Sequence, residues 1–210
     1  MMEKTVIKIG GSLIEEAPQL MKHIADKRKL FEKKILIIPG GGMFANFIRE
    51  ADDKLKLSSD SSHWMAILAM EQYGYYLAEK ADVPVVASLE NNNHPLSIFL
   101  PYSFLKEHDP LPHSWDVTSD TIAAFFAAQT NADFVKVTDV DGILVDQKLV
   151  DEIYAKKLSS MEKTCVDISF PDYLNEKRMD CFVTNGKYPD RLLDYLQGKK
   201  TVGTLIKGNI

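Results

Sequence analysis

Lys8 stands inside the apolar run Val6–Ile9, two residues ahead of Gly10-Gly11-Ser12. An ammonium group there is costly unless an anion meets it, or unless the strand is an edge whose lysine stem reaches back to water. The glycines favour the anion. A turn without side chains lets backbone N–H groups approach phosphoryl oxygens while the lysine neutralises their charge, and Ser12 adds a hydroxyl donor. The Walker pattern G-x-x-x-x-G-K-[ST] occurs nowhere in the chain, so this is not the Walker P-loop. Gly40-Gly41-Gly42 repeat the device before a helical segment whose N-terminal amides favour an anion. A nucleotide donor needs one such turn. The second suits an acceptor brought face to face with the donor, because phosphoryl transfer depends on positioning and charge neutralisation. The competing reading of these glycines is close helix–sheet packing.

Other residues have the types for chemistry. Thr138, Asp139, Asp141 and Gly142 follow a β-rich run, and Asn185-Gly186 end another. Asp139-Val140-Asp141-Gly142 resembles the start of a calcium loop, but the downstream ligands ending in glutamate are missing. His63-Trp64 and His113-Ser114-Trp115-Asp116 hold both tryptophans and two of the five histidines. Asp52-Asp53 and Asp151-Glu152 read as solvated faces. Cys165 and Cys181 form no C-x-x-C pair and sit beside apolar residues, which reads as buried free thiols.

The elements that must carry these residues follow βαβ grammar. Residues 5–10 and 34–42 are β-rich and end in glycine, each before a helical pattern, 18–31 and 43–56. A helix is predicted over 61–81, introduced by the capping run Ser58–Ser62. Strands are predicted over 83–89, 134–144, 181–186 and 201–208, and a helix over 116–132. Residues 91–114 contain four prolines and read as surface or edge pieces. Alternating strands and helices imply an α/β fold, with a mainly parallel sheet covered on both faces. Ligands of such sheets bind beyond the carboxyl ends of the strands, where four of these turns fall.

The 210 residues fit one domain, with 45% hydrophobic and 26% charged residues. A net charge of −5 argues against a general nucleic-acid binder. No leader pattern and no apolar run long enough to span a bilayer is visible, so no membrane partner and a cytoplasmic location are expected.

Five segments, "KIGGS", "PGGG", "DVTSDTIAA", "KVTDVDGIL" and "GTLI", resemble in order and spacing the amino acid kinase family, which includes acetylglutamate, carbamate, uridylate and isopentenyl phosphate kinases. The resemblance covers essentially the whole chain. It implies a three-layer αβα sandwich, with an acceptor-side lobe over 1–130 and a nucleotide-side lobe over 131–210. It also implies a phosphotransferase using ATP and Mg²⁺, and a homo-oligomer.

Lys8, Gly10, Gly11 and Ser12 would hold the phosphoryl group in flight, and Gly40, Gly41 and Gly42 would face the acceptor. Asp120, in the family's Asp-x-x-Ala setting, would orient the active-site lysine. Thr138, Asp139, Asp141 and Gly142 would line the ATP side, with Asn185 and Gly186 near it. Mg²⁺ would bridge donor phosphates and keep much of its water, so no protein metal site is expected.

Residues 61–74, 111–124 and 184–192 are most similar to a branch of the family that converts an aminomethylfuran-methyl phosphate to its diphosphate in methanofuran biosynthesis. For that acceptor, His113, Trp115 and Asp116 would supply an aromatic wall and a carboxylate facing the ring and its ammonium group. Two departures stand out. Residues 167–180 lack the glycine turn and second lysine of many relatives, leaving Lys177 and Lys187 as candidates. "MFANF" lacks the histidine that follows the triple glycine in isopentenyl phosphate kinases, which disfavours a terpenoid acceptor.

Overall fold

β1 (Glu3–Ile9) is the centre of the molecule, and its last five residues are buried. In the computed structural model, which describes residues 3–30, 32–90, 92–161 and 164–208, β1 pairs in parallel with β2 (Lys33–Pro39) on one side. On its other side lies β5 (Asp133–Thr138), again parallel. Between β1 and β2 the chain crosses over through α1 (Ala17–Lys27). After β2 come α2 (Gly42–Leu55), α3 (Ser59–Ala81), the two-residue β3 (Val85–Val86), β4 (Leu96–Phe99) and α4 (Tyr102–His108). Then α5 (Ser119–Thr130) leads into β5, and a small hairpin of β6 (Leu144–Val145) and β7 (Lys148–Leu149) into β8 (Glu152–Tyr154). The chain closes with α6 (Ala155–Leu158), α7 (Phe170–Lys177), β9 (Cys181–Asn185), α8 (Pro189–Leu196) and β10 (Thr204–Lys207).

The sheet order is β3-β4-β2-β1-β5-β9-β10-β8. Its first six strands run parallel, whereas β10 is antiparallel to β9 and β8 follows β10. Alternation of side chains along the central strands divides the core. Ile7, Ile9, Ile35, Ile37, Val135 and Val137 pack with α1 and α8. Val6, Leu36, Ile38 and Phe134 pack with α5, α6 and α7 on the other face. Three layers result, α on β on α. Both faces are dry, so the strands are near-continuous apolar runs, and a lysine inside one needs a partner. Residues 120–127 of α5 are all buried, which puts the only polar pair of that stretch, Asp120 and Thr121, in the interior.

Several boundaries differ from the sequence pattern. The first predicted helix stops at Lys27, and Phe31 lies outside the described residues. The strand expected over 83–89 shrinks to two residues, because β4 offers pairing only at Ile98 and Phe99. The proline-rich segment is more regular than expected: β4 is buried at all four positions and α4 follows it. Pro95 and Pro101 sit just outside β4, at the strand entry and at the α4 N-cap, where a missing N–H costs little. The strand expected over 134–144 ends at Thr138. Beyond it the chain turns, and Asp146 and Gln147 adopt the positive φ of a tight hairpin. The capping run works as expected, with the Ser58 hydroxyl accepting from Ser61 N–H at 3.2 Å.

Candidate active site

Register puts two lysines side by side. Lys8 of β1 is the cross-strand partner of Lys136 of β5, an arrangement of like charges that is unfavourable by itself. Asp120, at the start of α5, lies against both: Lys8 Nζ is 2.6 Å from its Oδ1, and Lys136 Nζ donates to its Oδ2 and to the carbonyl of Cys165. The side chains are 7%, 6% and 3% exposed for Lys8, Asp120 and Lys136, so the counter-charge comes from protein and not from water. Burial alone would raise the Asp120 pKa, but Lys136 and Lys8 overcome it and hold the carboxyl well below the usual range. The two ammonium groups differ. Burial pushes Lys8 below the ordinary lysine value, with Lys136 repelling it and Asp120 opposing; for Lys136 the attraction of Asp120 outweighs burial, and its value rises.

Asp167 completes this base. It accepts from the Thr118 N–H and hydroxyl, both at 2.9 Å, and from the Thr121 N–H at 3.0 Å and hydroxyl at 2.6 Å. Its own N–H donates to Asp120 Oδ2 at 3.2 Å. A carboxylate 47 residues away in sequence thus caps α5 and fixes the aspartate between the lysines.

The glycine turns meet directly above. A Cβ on Gly11 would lie 2.1 Å from Gly42 N and 2.3 Å from its Cα, and one on Gly40 would lie 2.7 Å from Gly11 N. Gly42 also has φ +55°, at the head of α2. The glycines therefore serve backbone-to-backbone packing of the two turns, which brings both N–H-rich loops to one place. Gly11, Ser12, Gly41 and Gly42 line one end of a cavity of about 300 Å³. Asn46 and Arg49 of α2, and Ser62, His63, Ile67 and Met70 of α3, form its sides, closed by Trp115, Thr118, Ser119 and Ile122. Tyr73 marks the glycine end of α3, since its hydroxyl donates to the Gly10 carbonyl at 3.4 Å. His63, ten residues earlier, lies about 15 Å back along the helix axis.

Known proteins resemble this chain along most of its length. The model of the amino acid kinase family matches residues 3–88 and 69–169. The chain belongs to the amino acid kinase family. It is 36% identical over 212 residues, 97% of each chain, to the [5-(aminomethyl)furan-3-yl]methyl phosphate kinase of Methanocaldococcus jannaschii. It is 21% identical to the uridylate kinase of Thermofilum pendens, over 96% of this chain and 97% of that protein. Its fold matches the crystal structure of uridylate kinase from Archaeoglobus fulgidus at a TM-score of 0.73, with 19% identity over 98% of this chain and all of that one. UMP kinase from Ureaplasma parvum matches at 0.75, with 18% identity over 99% of both. The family and its named kinases make this chain a phosphotransferase.

In this kinase the expected nucleotide-side residues gather at the ends of β5 and β9, beyond Ser12. Asn185 donates to the Asp139 carbonyl at 3.3 Å and to Asp141 Oδ1 at 2.9 Å, and Arg191 donates to that same Oδ1 at 2.6 Å. Burial opposes the charge of Asp139, but hydrogen bonds led by Ser12 lower its pKa overall. Gly142 and Gly186 face protein: a Cβ would meet Thr204 Oγ1 at 2.4 Å in one case and Leu13 Cδ1 at 2.6 Å in the other. Gly142 has φ +153°. Their lack of a side chain serves packing of the turns that carry Asp141 and Asn185.

The aromatic group is rearranged relative to the sequence expectation. Trp115 lines the cavity, but His113 and Asp116 do not. His113 is taken up by Asp60 and Asp109, and the exposed Asp116 has its backbone carbonyl bonded to Ser169 N–H. His63 takes the place in the wall. Asp52, expected on a solvated face, accepts from Trp115 Nε1 at 2.7 Å. Asp151 and Glu152 are exposed as expected; Cys181 is buried, Cys165 half-buried, and both are free.

The two candidates for the second lysine fall elsewhere. Lys177 pairs with Glu176 at the end of α7, and Lys187 is an exposed residue 3.8 Å from Glu16. The buried position beside Lys8 belongs to Lys136, which carried the same signal as Lys8, a lysine inside an apolar strand. Arg49 and Asp167 carried no comparable signal.

Proposed function

We propose that this kinase transfers the γ-phosphoryl group of ATP to the phosphate of [5-(aminomethyl)furan-3-yl]methyl phosphate, giving the diphosphate and ADP. The observation that carries the reading is 36% identity over 97% of both chains to the kinase of that name, in a chain whose cavity joins the paired glycine turns to a Trp115–His63 wall. A cavity of this size suits a five-membered ring with two one-carbon arms, and the indole face offers it stacking.

In this reading the acceptor phosphate lies at the Gly11–Gly42 contact, opposite the γ-phosphoryl group of ATP held by the Gly10–Ser12 turn. An acceptor phosphate oxygen forms the new bond to the γ-phosphorus as the bond to the β–γ bridging oxygen breaks, and ADP departs with that electron pair. The acceptor is largely dianionic near pH 7, so no side chain has to remove a proton. Lys8 meets the charge on the equatorial oxygens, while Asp120 and Lys136 hold Lys8 in direction. Asp120 is unsuited to act as a base, because both lysines hold it ionised and occupied. Thr138, Asp139, Asp141 and Asn185 border the nucleotide.

Among the described residues no group of three or more His, Cys, Asp or Glu side chains is placed to hold a metal ion. Mg²⁺ would come with the donor phosphates, and when bound it would supply charge neutralisation there.

The test is ADP release with Mg·ATP against the furan phosphate, isopentenyl phosphate and UMP. The reading expects kcat/KM for the furan phosphate to exceed the others by at least tenfold. Faster use of either competitor overturns the acceptor assignment.

A further inference from the structure

The proposed acceptor carries an ammonium group at the end away from its phosphate, yet no Asp or Glu lines the cavity among the described residues. What the far end does offer is a three-part stack. His113 donates through Nδ1 to Asp60 at 2.6 Å and through Nε2 to Asp109 at 2.8 Å, so both nitrogens are engaged and the ring is held as an imidazolium. His63 lies flat on it, ring centroids 4.2 Å apart at 20°, with the Trp64 edge against both rings. His63 is among the residues that line the cavity. Only burial and neighbouring charges act on it, with no hydrogen bond to its ring nitrogens among the described residues.

Resting on the acceptor assignment above, we propose that His63 is a specificity-determining residue: one ring nitrogen accepts a hydrogen bond from the acceptor's ammonium group, and His113, clamped by Asp60 and Asp109, positions the ring. Charge supports the direction of that bond. Two stacked imidazoles do not both ionise, and burial together with His113 lowers the His63 pKa to about 4, so His63 has a lone pair to offer at neutral pH. Behind it, the carboxylates of Asp60 and Asp109 balance the charges of His113 and Lys106, so the cluster does not repel an ammonium group. The facing cations are engaged: Lys106 lies 4.2 Å over the Trp64 ring and Arg49 4.7 Å over Trp115, where Asp52 is bonded to the same indole. Asp116, the carboxylate the sequence offered for this task, lies outside the cavity.

The experiment compares [5-(aminomethyl)furan-3-yl]methyl phosphate with (furan-3-yl)methyl phosphate, which lacks only the aminomethyl arm, in the wild type and in His63→Phe. Phenylalanine keeps the stack on His113 and removes the acceptor nitrogen. A hydrogen bond to a charged group predicts that kcat/KM for the amine-bearing acceptor falls about ten- to a hundredfold, while that for the amine-free analogue stays within about twofold. KM for ATP stays unchanged. Equal losses on both acceptors overturn the role of His63 while leaving the acceptor assignment intact. A wild type that ignores the furan phosphate overturns both. His63→Gln, which keeps an acceptor atom, is expected to retain part of the preference for the amine, and its loss of that preference counts against the proposal in the event that the Phe variant folds poorly.

Discussion

Replacing Lys136 with Met separates its charge from its bulk. In the wild type one carboxylate, Asp120, serves two ammonium groups, and the trio holds one net positive charge. Without Lys136, Asp120 and Lys8 become a neutral pair, and Lys8 is drawn more fully onto the carboxylate. A unit charge about 6 Å from a developing phosphoryl charge, at an effective dielectric near 20, is worth about 3 kcal/mol. That corresponds to a fall in kcat of about a hundredfold. Stability should suffer less, because Asp120 keeps Lys8 and the Asp167 N–H, and only the Cys165 carbonyl loses its donor. One unsatisfied buried acceptor costs about 1–3 kcal/mol, equivalent to a melting shift of several degrees in a chain of this size.

The decisive readouts are kcat, the KM of ATP, and binding of Mg·ADP with aluminium fluoride compared with Mg·ADP alone. The variant should bind ADP as the wild type does and lose at least tenfold in affinity for the fluoroaluminate complex, which mimics the phosphoryl group in flight. A variant with kcat within threefold of the wild type and a lowered melting temperature would show that Lys136 only fills a buried space, and the charge argument would be wrong.

Gly11→Ala tests the contact of the two turns. Its Cβ would sit 2.1 Å from a backbone nitrogen, so the turns must separate, and turnover should fall by more than about a hundredfold along with a lower melting temperature. Near-normal kcat would mean that the close approach is not needed. The histidine stack predicts two pH limbs in stability. His113 is raised, chiefly by its hydrogen bond to Asp60, so its contribution is present below the ordinary value of 6.5 and is lost as pH rises through the higher folded value. His63 is lowered to about 4, chiefly by burial, so the unfolded chain protonates first and stability falls as pH drops from about 6.5 to about 4. Melting temperatures from pH 4 to 9 should show His63→Phe flattening the acid limb and His113→Gln the alkaline limb; unchanged slopes in both variants would contradict the assigned protonation states.

What the sequence by itself determined was local in origin. A 210-residue chain of alternating β-rich and helical patterns specified a parallel sheet with both faces covered, and glycine turns after strands marked one edge of it. Lys8 was legible because a charge inside an apolar strand violates burial, whereas Asp120 was reached only through the family resemblance, by its Asp-x-x-Ala setting. Lys136 offered the same violation as Lys8, yet its partner could not be read, since the pairing depends on the β1/β5 register that sets the two lysines level. The residues around it are further apart still: Asp167 caps a helix that begins some fifty residues earlier, and Trp115 bonds Asp52 across 63 positions.

Tertiary structure also decided between neighbours of the same chemical type. His63 faces the cavity and His113 does not; Asp52 is engaged and Asp116 is turned away. Composition and spacing treat such pairs alike. What separates them is the rotation of α3, the packing of α2 beside it and the path of the chain between α4 and α5, each set by long-range burial of apolar surface. A sequence states which groups are available, while the direction in which a side chain points depends on what the rest of the fold has already filled.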